Sequence, residues 1–236
     1  MWFGFFDPMY LILVMPAALF GVWANTKVKS TYRRYSTVSS SRNISGAEAC
    51  KNVLNSNGLN DIAIERVEGH LTDHYDPKSK VIRLSTSVYD SCSVAAIGVA
   101  CHEAGHAIQH AYGYKPLKIR NAILPVTQLT SQLAVPLIMF GFMFSFGGNN
   151  MIWLAYLGLF GFFMAALFQL VTLPTEFDAS KRAIMAIENG GYLTDDEIIG
   201  SKKVLSAAAL TYVAALAVSL MSLLRMLILV NGRSDD

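Results

Sequence analysis

Three residues in one short segment have the types and the spacing of a zinc site. The segment HEAGH (102–106) contains the pattern His-Glu-x-x-His. Residues four apart on a helix share a face, with Cβ atoms about 5–6 Å apart, so His102 and His106 can bind one Zn²⁺ ion. Glu103 stays close enough to take a proton from water at the metal, so the pattern predicts hydrolysis with Glu103 as general base. The alternative is that these are ordinary polar residues of an amphipathic helix.

A catalytic zinc ion needs a third protein ligand and one open position. Glu176, in the segment LPTEFDAS (173–180), is the candidate. The apolar hairpin before it (123–173) would cross a membrane twice and return Glu176 to the side of His102. Asp178 is a candidate for a supporting role beside the metal. The alternative is that both carboxylates only interact favourably with a helix N-terminus.

The other histidines fit a metal site less well. His110 lies eight residues after His102, about 12 Å along a helix, so one ion cannot bind both. His70 and His74 are four residues apart, but the strand-like pattern around them argues against a second metal site. For His74 two roles remain open: stabilising an oxyanion, or forming a hydrogen bond within a hairpin.

The residues after the motif exclude one class of zinc protease. Metzincins continue His-Glu-x-x-His with a glycine and a third histidine. This chain has Gln109 and Tyr112 at those positions. Site-2-type intramembrane proteases would need the motif inside an apolar span, and this motif lies outside the apolar stretches.

The composition predicts a membrane protein. Of the 236 residues, 53% are hydrophobic and 15% are charged, and the mean hydropathy is +0.38. Soluble domains have about 25% charged residues. Four stretches are nearly free of charge and long enough to cross a bilayer as helices: 2–24, 123–146, 151–173 and 204–230. The net charge of +2 does not indicate a nucleic-acid partner.

The basic residues beside these stretches predict the orientation of the chain in the membrane. Those on one side are Lys27, Lys29, Arg33, Arg34, Arg42, Lys115, Lys118, Arg120, Lys181, Arg182, Lys202 and Lys203. In the polar segments of the other side, Arg233 is the single basic residue. We therefore expect both termini outside and both large polar loops in the cytoplasm.

Charge and hydropathy together predict six successive segments. They are a transmembrane anchor (1–24), a cytoplasmic catalytic segment (25–121) with the motif helix at 91–112, a transmembrane hairpin (122–173), a cytoplasmic helix with the third zinc ligand (174–203), a transmembrane helix (204–230) and a tail (231–236).

Local patterns predict helices in the two polar segments. The basic, Ser/Thr-rich stretch after residue 24 is typical of a mobile linker along the membrane surface. Ser45 with Glu48 predicts a capping box at the start of a helix that ends near Gly58. Similar pairs predict helix starts at Thr175, for a helix running to Asn189, and at Thr194 with Glu197.

Strands are predicted before the motif helix. Apolar and polar residues alternate at 62–68 and 80–84, with a turn at 76–79 between them. This predicts a small β-hairpin or sheet edge, and the segment 71–84 is the candidate for binding an extended peptide. The fold class expected is therefore a mainly α membrane protein. It has about four transmembrane helices and a cytoplasmic, zincin-like α+β catalytic domain.

Three segments resemble one protein family. They are LTDHYDPKSKVIRLS (71–85), HEAGHAIQ (102–109) and LPTEFDASKRA (173–183). With the spacing of the four apolar stretches, they resemble the YugP-like neutral zinc metallopeptidases of bacterial membranes, over nearly the whole chain. The resemblance implies that His102, His106 and Glu176 are zinc ligands and that Glu103 is the catalytic base.

A more distant resemblance concerns the segment around Glu176. It is similar to the Glu-[Phe/Tyr]-x-Ala-Asp motif of CAAX-prenyl and heat-shock membrane proteases. Ser180 stands where that motif ends in aspartate. Asp178 is the candidate to replace the missing carboxylate in its supporting role.

The function expected is that of a membrane-anchored, zinc-dependent endopeptidase that uses zinc-activated water and Glu103 as general base. We expect one Zn²⁺ per chain and a multi-pass protein of the cell membrane with its active site on the cytoplasmic side. The expected partners are the lipid bilayer and a protein or peptide substrate, without nucleic acid. Two alternatives remain: a non-catalytic zinc-binding membrane scaffold, and a CAAX-prenyl or heat-shock-type membrane protease. The sequence indicates neither the natural substrate nor the oligomeric state.

Overall fold

The chain is largely helical. The structure is a computed structural model that describes residues 8–69, 72–145 and 151–232. A π-helical turn at Tyr10–Val14 precedes the first α-helix. The helices are α1 (Met15–Ser36), α2 (Gly46–Ser56), α3 (Thr86–Tyr89), α4 (Val94–Ala111), α5 (Lys115–Ser145), α6 (Trp153–Gly190) and α7 (Asp195–Asn231). The strands are β1 (Ala63–Val67), β2 (His74–Asp76) and β3 (Val81–Ser85).

Four of the described helices are long and apolar enough to cross a membrane. They are Tyr10–Ser36, which includes the π-helical turn, and the helices α5, α6 and α7. This confirms the predicted fold class of a multi-pass membrane protein with a small α+β part. Four predicted features lie outside the described residues: the start of the first stretch (1–7), His70, the turn at 147–150 and the end of the tail (233–236).

The chain forms two compact units. Of the described residues, the first comprises 8–23, 119–145, 151–173 and 211–232. The second comprises 24–69, 72–118 and 174–210, and it holds the sheet, the short helices and the His-Glu-x-x-His segment. The second unit is thus built from two separate pieces of chain.

In the first unit, α5 and α6 approach closely at two glycines. A Cβ atom on Gly158 would lie 2.5 Å from the carbonyl oxygen of Ala134. Gly161 meets the carbonyl oxygen of Thr130 in a similar way. Such contacts of small residues are typical of helix packing in membranes, where close backbone approach replaces the hydrophobic driving force.

The sheet of the second unit has the strand order β1-β3-β2. The predicted hairpin exists, but it is formed by β2 and β3, which pair antiparallel. The first alternating stretch, β1, lies parallel to β3 with Ala63 opposite Val81. A parallel neighbour needs a connection of about a dozen residues, and the chain between β1 and β3 is long enough because it also contains β2.

Helix α4 is a core helix. The Ser93 hydroxyl accepts a hydrogen bond from the Ala96 N–H at its start, and Gly113 follows its end with a φ of 66°. Most of its side chains are buried, among them Ile97, Ala100 and Ala104, and it packs against α2. A helix that is apolar on nearly all sides lies in a protein core, whereas a surface helix has a polar face. The His-Glu-x-x-His segment therefore lies on a firmly held helix.

Two helix starts have the predicted capping contacts. The Ser45 hydroxyl accepts from the Glu48 N–H at 3.2 Å, and the Glu48 carboxylate accepts from the Ser45 N–H at 2.8 Å. The hydrogen bonds that its carboxylate accepts from the N–H and the hydroxyl of Ser45 lower the pKa of Glu48. At the start of α7, the Glu197 carboxylate accepts from the Thr194 N–H at 2.9 Å. Both predictions of helix starts are confirmed.

The predicted mobile linker is wrong over residues 25–36, because α1 continues to Ser36. The hydroxyl of Ser30 donates to the Lys27 carbonyl oxygen at 3.0 Å, and that of Ser36 donates to the Arg33 carbonyl oxygen at 2.9 Å. These hydroxyls are satisfied within the helix, so they do not compete with it. Extending a helix that has already formed is much easier than starting a new one.

The predicted separate helix starting at Thr175 is also wrong. The third span and this segment form one continuous helix, α6, with Pro174 inside it. Pro174 removes one backbone N–H donor from the helix. The next turn is held by tertiary packing, since Thr175 and Ala179 are fully buried. This packing outweighs the loss of one hydrogen bond.

Candidate metal centre

Helix α4 places His102 and His106 side by side. Their ring centroids are 4.7 Å apart and the rings are nearly perpendicular, at 84°. The two side chains are 14% and 13% exposed, so the rings are mostly enclosed but still accessible to solvent. This arrangement follows directly from the spacing of four residues on a regular helix.

Helix α6 brings Glu176 to the two imidazoles. Its Oε2 atom lies 3.3 Å from His102 Nε2 and 3.4 Å from His106 Nε2. The three ligand atoms lie within 4.8 Å of one another, and in the described part of the chain these residues form the one group of this kind. The structure thus brings together three residues that are 74 positions apart at the extremes.

A glycine permits the close approach of the two helices. Gly105 lies between the two histidines, and a Cβ atom there would be 2.6 Å from the carbonyl oxygen of Ala179. Such a distance is far inside van der Waals contact, so any side chain at this position would push α6 away. The glycine of the HEAGH segment therefore sets how near Glu176 comes to the histidines.

The electrostatics of the centre favour a cation between the three side chains. Burial alone would raise the pKa of Glu176, but hydrogen bonds with His102 and His106 hold it well below its usual value. Burial alone would lower the pKa of His106, but the hydrogen bond with Glu176 and the charges of both glutamates, Glu103 included, raise it. The buried carboxylate thus attracts positive charge to this point, either a proton on an imidazole or a metal ion.

Two of the three distances within this group match those around a zinc ion. Two atoms bonded to one tetrahedral zinc ion at about 2.0–2.1 Å are about 3.3–3.4 Å apart. The oxygen of Glu176 is at this distance from both imidazole nitrogens. Two histidines and one glutamate are also a set of ligands that catalytic zinc sites use.

Glu103 lies on α4 directly after His102. Its side chain is buried, with the residue 8% exposed, and its charge contributes to the raised pKa of His106. Its carboxylate has no hydrogen bond with any residue in the described ranges. Both carboxylate oxygens are therefore free to interact with a substrate or with water.

His74 and His110 lie outside the group of ligand atoms. His74, on the edge strand β2, is exposed, and its Nδ1 atom is 2.8 Å from the Thr72 carbonyl oxygen. This is a hydrogen bond with the chain just before β2. His110 pairs with the Tyr75 hydroxyl, 2.9 Å from its Nδ1 atom. Both rings thus have local partners.

Asp178 is not part of the group of ligand atoms. Its carboxylate accepts hydrogen bonds from the side chains of Gln109 and Arg182, at 2.8 and 2.6 Å. Its link to the centre is therefore indirect and runs through Gln109.

Two residues beside the centre were missed as functional candidates in the sequence. Gln109 is fully buried, and its Oε1 atom is 3.0 Å from His106 Nδ1. The hydroxyl of Ser180 is 3.1 Å from His102 Nδ1. A glutamine three residues after His106 on an apolar helix was the available signal for the first. Ser180 itself, and not Asp178, lies against His102, at the position where the more distant motif has aspartate.

Comparisons with known proteins identify the family of the chain. Residues 10–231 match a family described as “Putative neutral zinc metallopeptidase”. The chain belongs to this family. It is 46% identical to “Putative membrane protease YugP” of Bacillus subtilis (strain 168) over an alignment of 229 residues. The alignment covers 97% of this chain and 100% of the relative. No solved structure matches the chain. The resemblance noted in the sequence is confirmed.

Proposed function

We propose that the protein is a membrane-anchored zinc endopeptidase. The observation that supports this most strongly is the meeting of His102 Nε2, His106 Nε2 and Glu176 Oε2 at one point, with Glu103 beside them. A purely structural zinc site has no use for an additional buried carboxylate without hydrogen-bond partners. A hydrolytic site needs one as its base.

Each residue has a distinct role in this proposal. His102, His106 and Glu176 hold the metal, and a bound zinc ion supplies a Lewis acid that makes water more acidic and polarises a carbonyl group. Glu103 accepts a proton from the attacking water as the oxygen of that water bonds to the carbonyl carbon. When the C–N bond breaks, the same proton passes from Glu103 to the departing amine nitrogen.

The strand β2 is the proposed place for the substrate backbone. It is an edge strand of the described sheet, and it contacts α4, the helix that carries the motif. An extended peptide can add to such an edge through main-chain hydrogen bonds. An edge that binds backbone atoms accepts many sequences, which suits an enzyme acting on unfolded or misfolded segments.

We place the active site on the cytoplasmic side. Basic side chains are frequent next to the apolar spans. On α1 they are Lys27, Lys29, Arg33 and Arg34. Basic residues beside spans are retained in the cytoplasm. The substrates proposed are membrane proteins with segments exposed at that face.

The test is the zinc content and the peptidase activity of the purified full chain in detergent. Wild type should bind about one zinc ion and should hydrolyse fluorescein-labelled casein. Glu176→Ala should lose zinc and activity. Glu188→Ala is the matched control, since Glu188 is an exposed carboxylate of the same helix that pairs with Lys202, 2.9 Å away.

Three results would contradict the proposal in different ways. If wild type prepared without chelators contained no zinc, the proposed metal site would be refuted. Tight zinc in Glu176→Ala would refute the third ligand. One zinc ion in wild type without hydrolysis of any polypeptide would favour the alternative of a non-catalytic zinc-binding scaffold.

A further inference from the structure

We infer that Gln109 is a positioning residue, which selects the nitrogen of His106 that faces the metal and ties this histidine to the segment that carries Glu176. The inference rests on the proposed metal site. Gln109 is fully buried on α4, one turn after His106. A buried amide is costly unless all its polar atoms are paired, so its contacts define its orientation.

The amide nitrogen of Gln109 has two partners. It donates to the carbonyl oxygen of Thr175 at 2.8 Å and to the carboxylate of Asp178 at 2.8 Å. Both partners are hydrogen-bond acceptors, and neither can donate when Asp178 is ionised. The opposite orientation of the amide would place its oxygen against two acceptors, and it is therefore strongly disfavoured.

Asp178 is held in its place by a cation. Its Oδ2 atom is 2.6 Å from the Nε atom of Arg182, one turn further along α6. The guanidinium group always carries its charge. The orientation of the Gln109 amide is therefore set by a sequence of contacts that begins at Arg182.

This orientation turns the amide oxygen of Gln109 towards His106. The oxygen can only accept, and His106 Nδ1 lies 3.0 Å from it, so Nδ1 must carry the hydrogen. A neutral imidazole has one N–H group, and Nε2 therefore keeps its lone pair. Nε2 is the atom 3.4 Å from Glu176 Oε2, at the proposed metal position. The amide thus presents His106 in its ligand form.

The same amide connects the two helices of the centre. The carbonyl oxygen that it contacts belongs to Thr175, the residue directly before Glu176. One side chain of α4 is consequently hydrogen-bonded both to a metal-binding histidine and to the backbone next to the third ligand. Partners of this kind, one step away from the metal, typically change metal affinity by about 10–100-fold when removed.

His102, the other histidine of the site, lacks such a constraint. Its Nδ1 atom contacts the hydroxyl of Ser180, at 3.1 Å, and a hydroxyl can either donate or accept. The position of Ser180 therefore does not decide which nitrogen of His102 carries the hydrogen. We expect Ser180→Ala to weaken zinc binding less than the removal of the Gln109 amide does.

The experiment combines zinc affinity with the form of the His106 ring. Zinc affinity is measured by chelator competition for the detergent-solubilised full chain as wild type, Gln109→Met and Gln128→Met. Gln128 is an exposed glutamine of α5, so its replacement is the matched control. We expect a 10–100-fold loss of affinity for Gln109→Met and wild-type affinity for Gln128→Met. Equal affinity of wild type and Gln109→Met would overturn the inference while leaving the proposed function intact.

Two further measurements decide the inference if Gln109→Met does not fold. ¹⁵N NMR of histidine-labelled Glu176→Ala, which removes the carboxylate acceptor 3.4 Å from Nε2, at a pH where the ring is neutral, should show His106 with hydrogen on Nδ1. Hydrogen on Nε2 would overturn the inference, and this measurement needs no metal.

Gln109→Glu should lose affinity, because its carboxylate would face that of Asp178. The double variant Gln109→Glu/Asp178→Asn should recover part of it by restoring a donor to that contact, and no recovery would count against the mechanism.

A failure of the proposed function would look different. Wild type that binds no zinc would refute the metal site, while the NMR measurement would still report whether Gln109 sets the form of the His106 ring.

Discussion

Gly105 and Ala179 face each other so closely that no side chain fits between them. The carbonyl oxygen of Ala179 is 2.6 Å from the place where a Cβ atom of Gly105 would be. Ala179 lies on the turn of α6 that follows Glu176, and Gly105 lies between the two histidines of α4. The distance between Glu176 and the two histidines is therefore controlled by the size of one side chain.

We predict that Gly105→Ala weakens zinc binding and lowers stability. The added methyl group must move α6 or α4, and overpacking of this kind costs about 1–3 kcal/mol. Gly21→Ala is the matched control, because a Cβ atom there would have its nearest neighbour at 4.0 Å, an ordinary contact. Thermal unfolding and chelator competition measure the two effects. Unchanged zinc affinity in a folded Gly105→Ala protein would show that the helices can separate without disturbing the ligands.

We predict that Glu103→Gln retains zinc and loses peptidase activity by roughly 10²–10⁴-fold, the usual contribution of a general base. The amide is nearly the same size as the carboxylate, but it cannot accept a proton from water. Zinc content and the turnover rate are measured together. Glu68→Gln, an exposed residue just after β1, should keep both properties. Full turnover of Glu103→Gln would assign the role of base to another residue.

Zinc should stabilise the wild-type fold by mass action. A ligand that binds the folded state alone adds about 2.7 kcal/mol at a free concentration of 100 times its Kd. Thermal unfolding of the wild type should therefore move to lower temperature when a chelator is added. His106→Ala should show no such shift, because one of its three ligands is missing. An equal shift in both proteins would mean that the metal binds elsewhere.

The hairpin turn between β2 and β3 should respond to acid. Hydrogen bonds from the Ser79 hydroxyl and the Lys78 N–H lower the pKa of Asp76 to about 2. Because the pKa in the folded chain is below the unfolded value of about 3.9, the stabilising effect is present above pH ~4. It is lost as the pH falls towards 2. The difference in unfolding temperature between wild type and Asp76→Asn should therefore shrink below pH 4.

The control for this prediction is Ser79→Ala, which removes the hydrogen bond with the largest effect on Asp76. The difference in unfolding temperature between Ser79→Ala and Asp76→Asn should depend less on pH than the difference between wild type and Asp76→Asn. A difference between wild type and Asp76→Asn that stays constant from pH 7 to pH 2 would contradict the role assigned to the charge of Asp76.

Local chemistry allowed much of the site to be predicted from the sequence. The side-by-side placement of His102 and His106 needs only a regular helix. The prediction that Glu176 lies on the same side as His102 needs only an even number of membrane crossings between them. The capping box of Ser45 and Glu48 involves residues three positions apart. In each case the determining interaction spans a few residues, or follows from counting segments.

What could not be predicted depends on contacts between distant segments. The parallel pairing of β1 with β3 depends on tertiary packing, because an alternating pattern is the same for either strand direction. The continuity of α6 through Pro174 depends on the burial of the residues that follow it. The role of Gln109 depends on Thr175 and Asp178, which are more than 60 positions away and on a different helix.

The two-piece construction of the second unit has a consequence for biosynthesis. Its parts, 24–118 and 174–210, are separated in the chain by the residues of the α5–α6 hairpin. A ribosome therefore completes His102 and His106 long before it reaches Glu176. A nascent chain that has not yet passed the hairpin lacks the third of the proposed metal ligands. Under the proposed function, activity can begin only after the hairpin has been translated, and the chain is inactive during the early part of its own synthesis.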